Sequence, residues 1–181
     1  MSGYSGTPAH RSMSEYEHHR HIRDLALRYA LCIDKGDPDG FIALFADGAE
    51  IRIYLMDRAE PLAVVRGAAE FADLVNTIHT SYHATMHIVT NHLVSVDADD
   101  ATGTAYCLAH HYYRAEDRSE SEVLPVRYND RYVRGADGWQ FLSREIHRLW
   151  TEFRPAGRRP LTVDLVMAGR QATPPTSRAS D

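Results

Sequence analysis

Cysteine is almost absent: Cys32 and Cys107 are the only two in 181 residues, far too few for a disulfide scaffold. Long apolar runs are missing as well, and no stretch approaches the ~18 residues a membrane span requires. The opening residues, MSGYSGTPAHRS, lack the apolar centre of a signal peptide, so a soluble, cytoplasmic chain is expected. An excess of positive charge is lacking too. Lys and Arg number 20 against 25 Asp and Glu, for a formal charge of −5, which argues against a nucleic-acid partner. There is no phosphate loop, no Gly-rich dinucleotide fingerprint, no G-x-S-x-G elbow and no C-x-x-C pair, and no cofactor is expected.

Hydrophobic residues make up 44% and charged residues 25%, a globular composition. Residues 1–13 and 168–181 are small and polar and read as disordered tails. The interval 14–167 carries the periodic signal and reads as one domain.

Ser14-x-x-Glu17 is a capping box, in which each side chain satisfies a backbone N–H of the other. Ile22, Leu25, Ala26, Tyr29, Ala30 and Ile33 follow at helical spacing, until Gly36, Asp37 and Pro38 stop the helix. A short second helix is expected over Gly40–Phe45 and a third over Gly67–His79. Strands are expected over Ala49–Leu55, Thr85–Val96, Ala101–Arg114, Val123–Arg134 and Trp139–Trp150, with tight turns at Asp97–Asp100 and Gly135–Gly138. Helices followed by a long antiparallel meander make an α+β layout, with the helices closing one face of a curled sheet.

The chemistry centres on 11 histidines, several inside hydrophobic segments. Asp34 sits at the end of the first helix, where the macrodipole disfavours negative charge. It either faces water or turns into a pocket. His87 lies within an apolar strand, on a face shared by alternation with Val89, Asn91, Leu93 and Ser95. Both faces of that strand are partly apolar, so both are expected to be covered. His110 and His111 reach opposite faces of the next strand, and one of them must share a side with His87. A carboxylate that holds one imidazole nitrogen leaves the other as a base near neutral pH. Metal binding competes as an explanation of so many histidines. However, His18-His19-x-His21 falls on a solvated helix face, and the i, i+4 pair His83 and His87 lies on a strand, where that spacing does not make a ligand pair. No metal site is expected. Tyr29, Tyr54 and Tyr128 can serve as amphipathic pocket walls.

Three runs, taken together, resemble the SnoaL-like branch of the NTF2-like superfamily: Cys32-Ile-Asp34-Lys-Gly-Asp37, Phe41-Ile-Ala-Leu-Phe-Ala-Asp-Gly-Ala-Glu-Ile51 and Tyr82-His-Ala-Thr-Met-His87-Ile-Val-Thr-Asn91, before a closing Asp137-Gly-Trp-Gln-Phe-Leu142. The branch includes scytalone dehydratase, lindane dehydrochlorinase and bile acid 7α-dehydratase, and the resemblance covers about residues 15–153. It implies a cone-shaped, curved antiparallel sheet closed by N-terminal helices around an apolar pocket. It implies an Asp34–His87 pair, a second histidine at His110, a tyrosine at Tyr54 and another at Tyr29. Asn91, Arg127 and Tyr128 are expected to contact substrate. Ile33 stands where scytalone dehydratase has a tyrosine, and the Pro125-Val-Arg127-Tyr-Asn129 segment lacks its Ser and Asn.

The expectation is a cofactor-independent dehydratase acting on a small apolar, polycyclic or polyketide-derived carbonyl compound. The alternatives are an isomerase or cyclase, or a non-catalytic ligand-binding protein of the same fold. The resemblance also implies a homotrimer or homodimer. The apolar run Leu161–Met167 should cover either the pocket mouth, as a lid, or a neighbouring subunit.

Overall fold

The structure, a computed structural model, describes residues 14–56, 58–114 and 119–156. The two expected tails and the Leu161–Met167 run lie outside the described residues.

Helix α1 (Glu15–Lys35) begins at the expected capping box: the Glu17 carboxylate accepts the Ser14 N–H at 2.7 Å, and Ser14 Oγ accepts the Glu17 N–H at 3.3 Å. It ends at Gly36 in the left-handed region, φ 64°, where a Cβ would come within 2.6 Å of the His79 ring. Its stripe Ile22, Leu25, Ala26, Tyr29, Ala30 and Ile33 is buried. Helix α2 (Pro38–Ile42) is shorter than expected, and strand β1 (Phe45–Leu55) starts at Phe45, which was read as helical. Packing overrides local propensity here: Phe45 pairs in register with Phe141 and packs on Phe71, with ring centroids 4.6 Å apart.

A short strand β2 (Ala63–Arg66), which the sequence did not announce, pairs with β1 and leads into α3 (Gly67–Ser81). The meander follows as β3 (Ala84–Asp97), β4 (Asp100–Arg114), β5 (Ser119–Gly135) and β6 (Gly138–Arg148), with β7 (Glu152–Pro155) returning to pair with β5. The sheet order is β2-β1-β6-β5-β4-β3. All its pairings are antiparallel except β1 with β6. The α+β layout with a curled, unclosed sheet is as the sequence indicated, and α1 packs on β3 and β6 to cover the concave side. Among the described residues, no helix is long and apolar enough to cross a membrane.

Strand β3 corrects one expectation. A bulge falls between Thr90 and Leu93, and Asn91 takes φ 46°. The extra residue reverses the alternation. Thr85, His87 and Val89 face inward before the bulge, and His92, Val94 and Val96 face inward after it. Asn91, Leu93 and Ser95 therefore do not share the His87 face. Among the described residues nothing covers the outer face either, since Met86 is 51% and Leu93 79% exposed.

Candidate active site

The end of α1 meets the start of β3 at Asp34. Its Oδ1 lies 2.7 Å from His87 Nδ1, its Oδ2 accepts the His87 backbone N–H at 3.0 Å, and Thr85 Oγ donates to Oδ1 at 2.8 Å. Burial alone would raise the carboxyl's pKa. The hydrogen bonds from the His87 side chain and backbone, with the His87 charge and Thr85, outweigh it and hold Asp34 below the ordinary carboxylate value. With Nδ1 committed to Asp34, Nε2 is the nitrogen left to a ligand.

His87 forms part of the wall of a pocket of about 230 Å³ between α1, α3 and the sheet. Its apolar walls come from Ile33, Ile53, Leu74, Ile78, Leu124 and Ile146. Its polar groups are His87, His111, Tyr29, Tyr82, Tyr128 and Arg148. A larger hollow of about 520 Å³ lies on the outer face of the sheet, lined by residues such as Thr102, Asn129, Arg131 and Glu145, and the Asp34–His87 pair does not reach it.

The sheet register decides which expected residues arrive. Across β3 and β4, His87 pairs with Ala109 and Thr85 with His111. His111 therefore faces the cavity, and His110, paired with Met86, takes the outer face. That corrects the assignment of the second histidine to His110. Tyr54 is also corrected: on β1 it alternates with the inward Ile51 and Ile53, and its ring stacks on His147 at 4.6 Å with a 6° interplanar angle. Arg127 pairs with Tyr106 and His147 on that same outer face, and Asn91 sits exposed at the bulge. Tyr29 and Tyr128 do line the cavity. Burial pushes Tyr29 up to about 12 and Tyr128 well above the ordinary phenol value, so both stay protonated.

Beneath these two tyrosines, Arg144 is wholly buried and paired with Asp130, Nε to Oδ1 at 2.8 Å and Nη2 to Oδ2 at 2.7 Å. Its guanidinium carbon lies 4.1 Å from the ring centres of both Tyr29 and Tyr128. Burial opposes its charge, but Asp130 overrides that and holds the guanidinium above its usual value.

Tyr82, Glu122 and Arg148 were not among the expected site residues, and His111 stood only as the alternative to His110. His111 is 7% exposed, its ring centroid lies 5.4 Å from that of His87, and both its nitrogens are buried without hydrogen-bond partners. Burial, then the neighbouring His87, pushes its pKa down to about 4. Glu122 sits behind it, with Oε2 3.7 Å from His111 Nδ1. Tyr82 donates to Glu122 Oε2 at 2.9 Å, and Arg148 Nη2 lies 3.4 Å from Oε1. Burial, and then its bond to Glu122, raise Tyr82 to about 12. Tyr82 stood in the quoted Tyr82–Asn91 run, but as a helix end it gave no cue. Glu122 fell one residue before the expected strand start. Among the described residues, no group of three or more His, Cys, Asp or Glu side chains is gathered as a metal would require.

The SnoaL-like domain family matches residues 14–145. A crystal structure of a Kribbella flavida protein is similar at 24% identity and TM-score 0.67, covering 77% of this chain and 95% of its own. A scytalone dehydratase candidate from Novosphingobium aromaticivorans is 24% identical at TM-score 0.66, over 80% of this chain and 97% of its own. A hexachlorocyclohexane dehydrochlorinase from Novosphingobium barchaimii is 21% identical at TM-score 0.64, over 80% and 93%. These likenesses show a shared fold. No curated protein matches the chain.

Proposed function

The chain belongs to the SnoaL-like domain family, and from that premise we propose that it is a cofactor-independent lyase that removes water from a small, neutral β-hydroxy carbonyl compound. The observation that carries this reading is the Asp34–His87 pair set in the wall of an apolar cavity. Asp34 orients the imidazole. Nε2 of His87 takes the proton from the carbon next to the carbonyl, and the electron pair left behind forms the new C=C bond as the β-hydroxyl departs. The proton on His87 passes to that hydroxyl, which leaves as water, and the ring returns to its starting state. Tyr29 and Tyr128, kept protonated by burial, are the donors available to the developing enolate oxygen.

The scheme uses no metal; among the described residues no group of three or more His, Cys, Asp or Glu side chains is gathered to hold one. The size of the site narrows the substrate. A dry cavity of about 150 Å³ accepts benzene, so we take one- and two-ring compounds as the better fit to about 230 Å³, ahead of larger polycyclic ones.

The test is incubation of the protein with neutral one- and two-ring β-hydroxy ketones in D₂O, followed by mass spectrometry. Loss of water that disappears in His87→Ala supports the reading. Deuterium exchange without loss of water would make the protein an isomerase. Binding of the panel with neither outcome would make it a non-catalytic ligand carrier.

A further inference from the structure

Three polar groups of the cavity wall converge on one buried carboxylate. Glu122 is 9% exposed and stands on β5 between β4 and β7, paired in register with His111 on one side and Phe153 on the other. Tyr82 donates to its Oε2 at 2.9 Å, Arg148 approaches its Oε1 at 3.4 Å, and His111 Nδ1 lies 3.7 Å from Oε2. This repeats, at a looser distance, the carboxylate–imidazole arrangement of Asp34 and His87, and the two imidazoles share one cavity wall.

A neutral imidazole carries its proton on one nitrogen and a lone pair on the other. A lone pair on Nδ1 would face carboxylate oxygen density across 3.7 Å of low-dielectric interior, whereas an N–H there is attracted to it. The proton therefore belongs on Nδ1, and Nε2 is the acceptor. That acceptor is buried and has no partner among the described residues, a costly state unless a ligand supplies a donor.

We propose that Glu122 is a positioning residue that fixes His111 as a hydrogen-bond acceptor and so fits the site to a leaving hydroxyl, which carries a hydrogen, rather than to a leaving halide, which does not. The proposal rests on the lyase reading above. The hydroxyl donates its hydrogen to His111 Nε2 and turns a lone pair toward the proton on His87. It then leaves as water with that proton, and no proton is drawn from His111. A halide leaves as the anion, keeps the acceptor unsatisfied and leaves the proton on His87 for solvent. Tyr82 and Arg148 hold the carboxylate in place from its two oxygens.

The tautomer can be read without any substrate. In ¹⁵N-labelled full-length protein at neutral pH, histidine ring correlations assigned by loss of a signal in His111→Asn should show His111 in the Nδ1–H form. Glu122→Gln, which retains an acceptor, should keep that form, and Glu122→Leu should revert it to Nε2–H. Should Glu122→Leu not fold, Tyr82→Phe frees Oε2 for His111 and should move the Nδ1–H proton downfield. An Nε2–H form in the wild type overturns the proposal, as does an Nδ1–H signal indifferent to both Glu122 and Tyr82. The specificity arm compares two ketones that differ only in β-hydroxyl against β-chloride. The hydroxyl-to-chloride ratio of kcat/KM should fall by at least about ten-fold in Glu122→Leu, the equivalent of one lost buried hydrogen bond. An unchanged ratio overturns the proposal. Failure of both ketones to react overturns the lyase reading and leaves the tautomer result to decide the role of Glu122.

Discussion

Asp34 holds His87 twice, taking the ring nitrogen Nδ1 at 2.7 Å and the backbone N–H of the same residue at 3.0 Å. The second bond ties the carboxylate to the strand itself. The ring therefore cannot drift from its orienting group without α1 moving against β3. Pre-organisation of this kind lets a base act with little rearrangement.

Asp34→Asn should leave the fold intact and lower turnover by about 10²–10⁴-fold, the range for losing an effective general base. The same variant has a stability signature. The folded Asp34 titrates below its unfolded value. Its contribution is therefore complete above the unfolded carboxylate pKa and is lost as pH falls through the lower, folded one. Acid titration followed by circular dichroism should show a component below about pH 4 that Asp34→Asn lacks. Identical acid profiles would show that the pair contributes no charge-dependent stability.

The buried Arg144–Asp130 pair is the most exacting interaction beneath the cavity. Asp130→Ala strands a charge among Tyr29, Tyr128 and Phe141 and should cost about 3–5 kcal/mol, a Tm lowered by roughly 10 °C. Asp130→Leu combined with Arg144→Met should cost less than either change alone, because no unpaired charge remains. Calorimetry of the three variants checks the ordering, and additive losses would contradict it.

The parts of the fold that depend on local chemistry were legible. Ser14 with Glu17, the stripe from Ile22 to Ile33 and the stop at Gly36 all act over three or four residues, and they deliver Asp34 to its place. The pairing of Asp34 with His87 came from resemblance, and the geometry agrees with it. What escaped was set by contacts distant in the chain. The Asn91 bulge is a non-glycine residue at positive φ inside a strand and carries no sequence mark. The choice between His110 and His111 depends on register with β3, and Glu122 enters only because β5 runs further than its apolar core. Tyr54 is different. Its alternation with Ile51 and Ile53 points outward, against both its expected role as a pocket wall near the strand end and the family correspondence.

His111 makes stability sensitive to acid over a second window. Its folded pKa, pushed down to about 4 by burial and then by His87, lies below the ordinary histidine value of 6.5. The unfolded chain therefore binds a proton that the fold refuses, and stability should fall as pH drops from about 6.5 towards 4, by up to about 1.4 kcal/mol per pH unit. Above 6.5 the ring contributes no pH dependence. Urea denaturation at a series of pH values should show this slope in the wild type and a flatter curve in His111→Gln. Equal slopes would show that the ring is charged or solvated in the fold.

The cavity volume sets the last expectation. About 230 Å³ bounded by Ile33, Leu74, Ile78 and Ile146 should fit a compound such as 2-naphthol better than a steroid, because the packed walls yield little to an oversized guest. Ala109, opposite His87 in the β3–β4 register, also lines this space. Ala109→Leu adds three carbons to the wall and should weaken binding of the two-ring probe by ten-fold or more. The protein itself should lose no more than about 1–3 kcal/mol to overpacking. Chemical-shift titration with phenol, 2-naphthol and cortisol measures the size limit, and denaturation of the variant measures the packing cost. Cortisol binding as tightly as 2-naphthol, with shifts at His87, would mean that the cavity opens well beyond its resting volume and would return the polycyclic substrates to consideration.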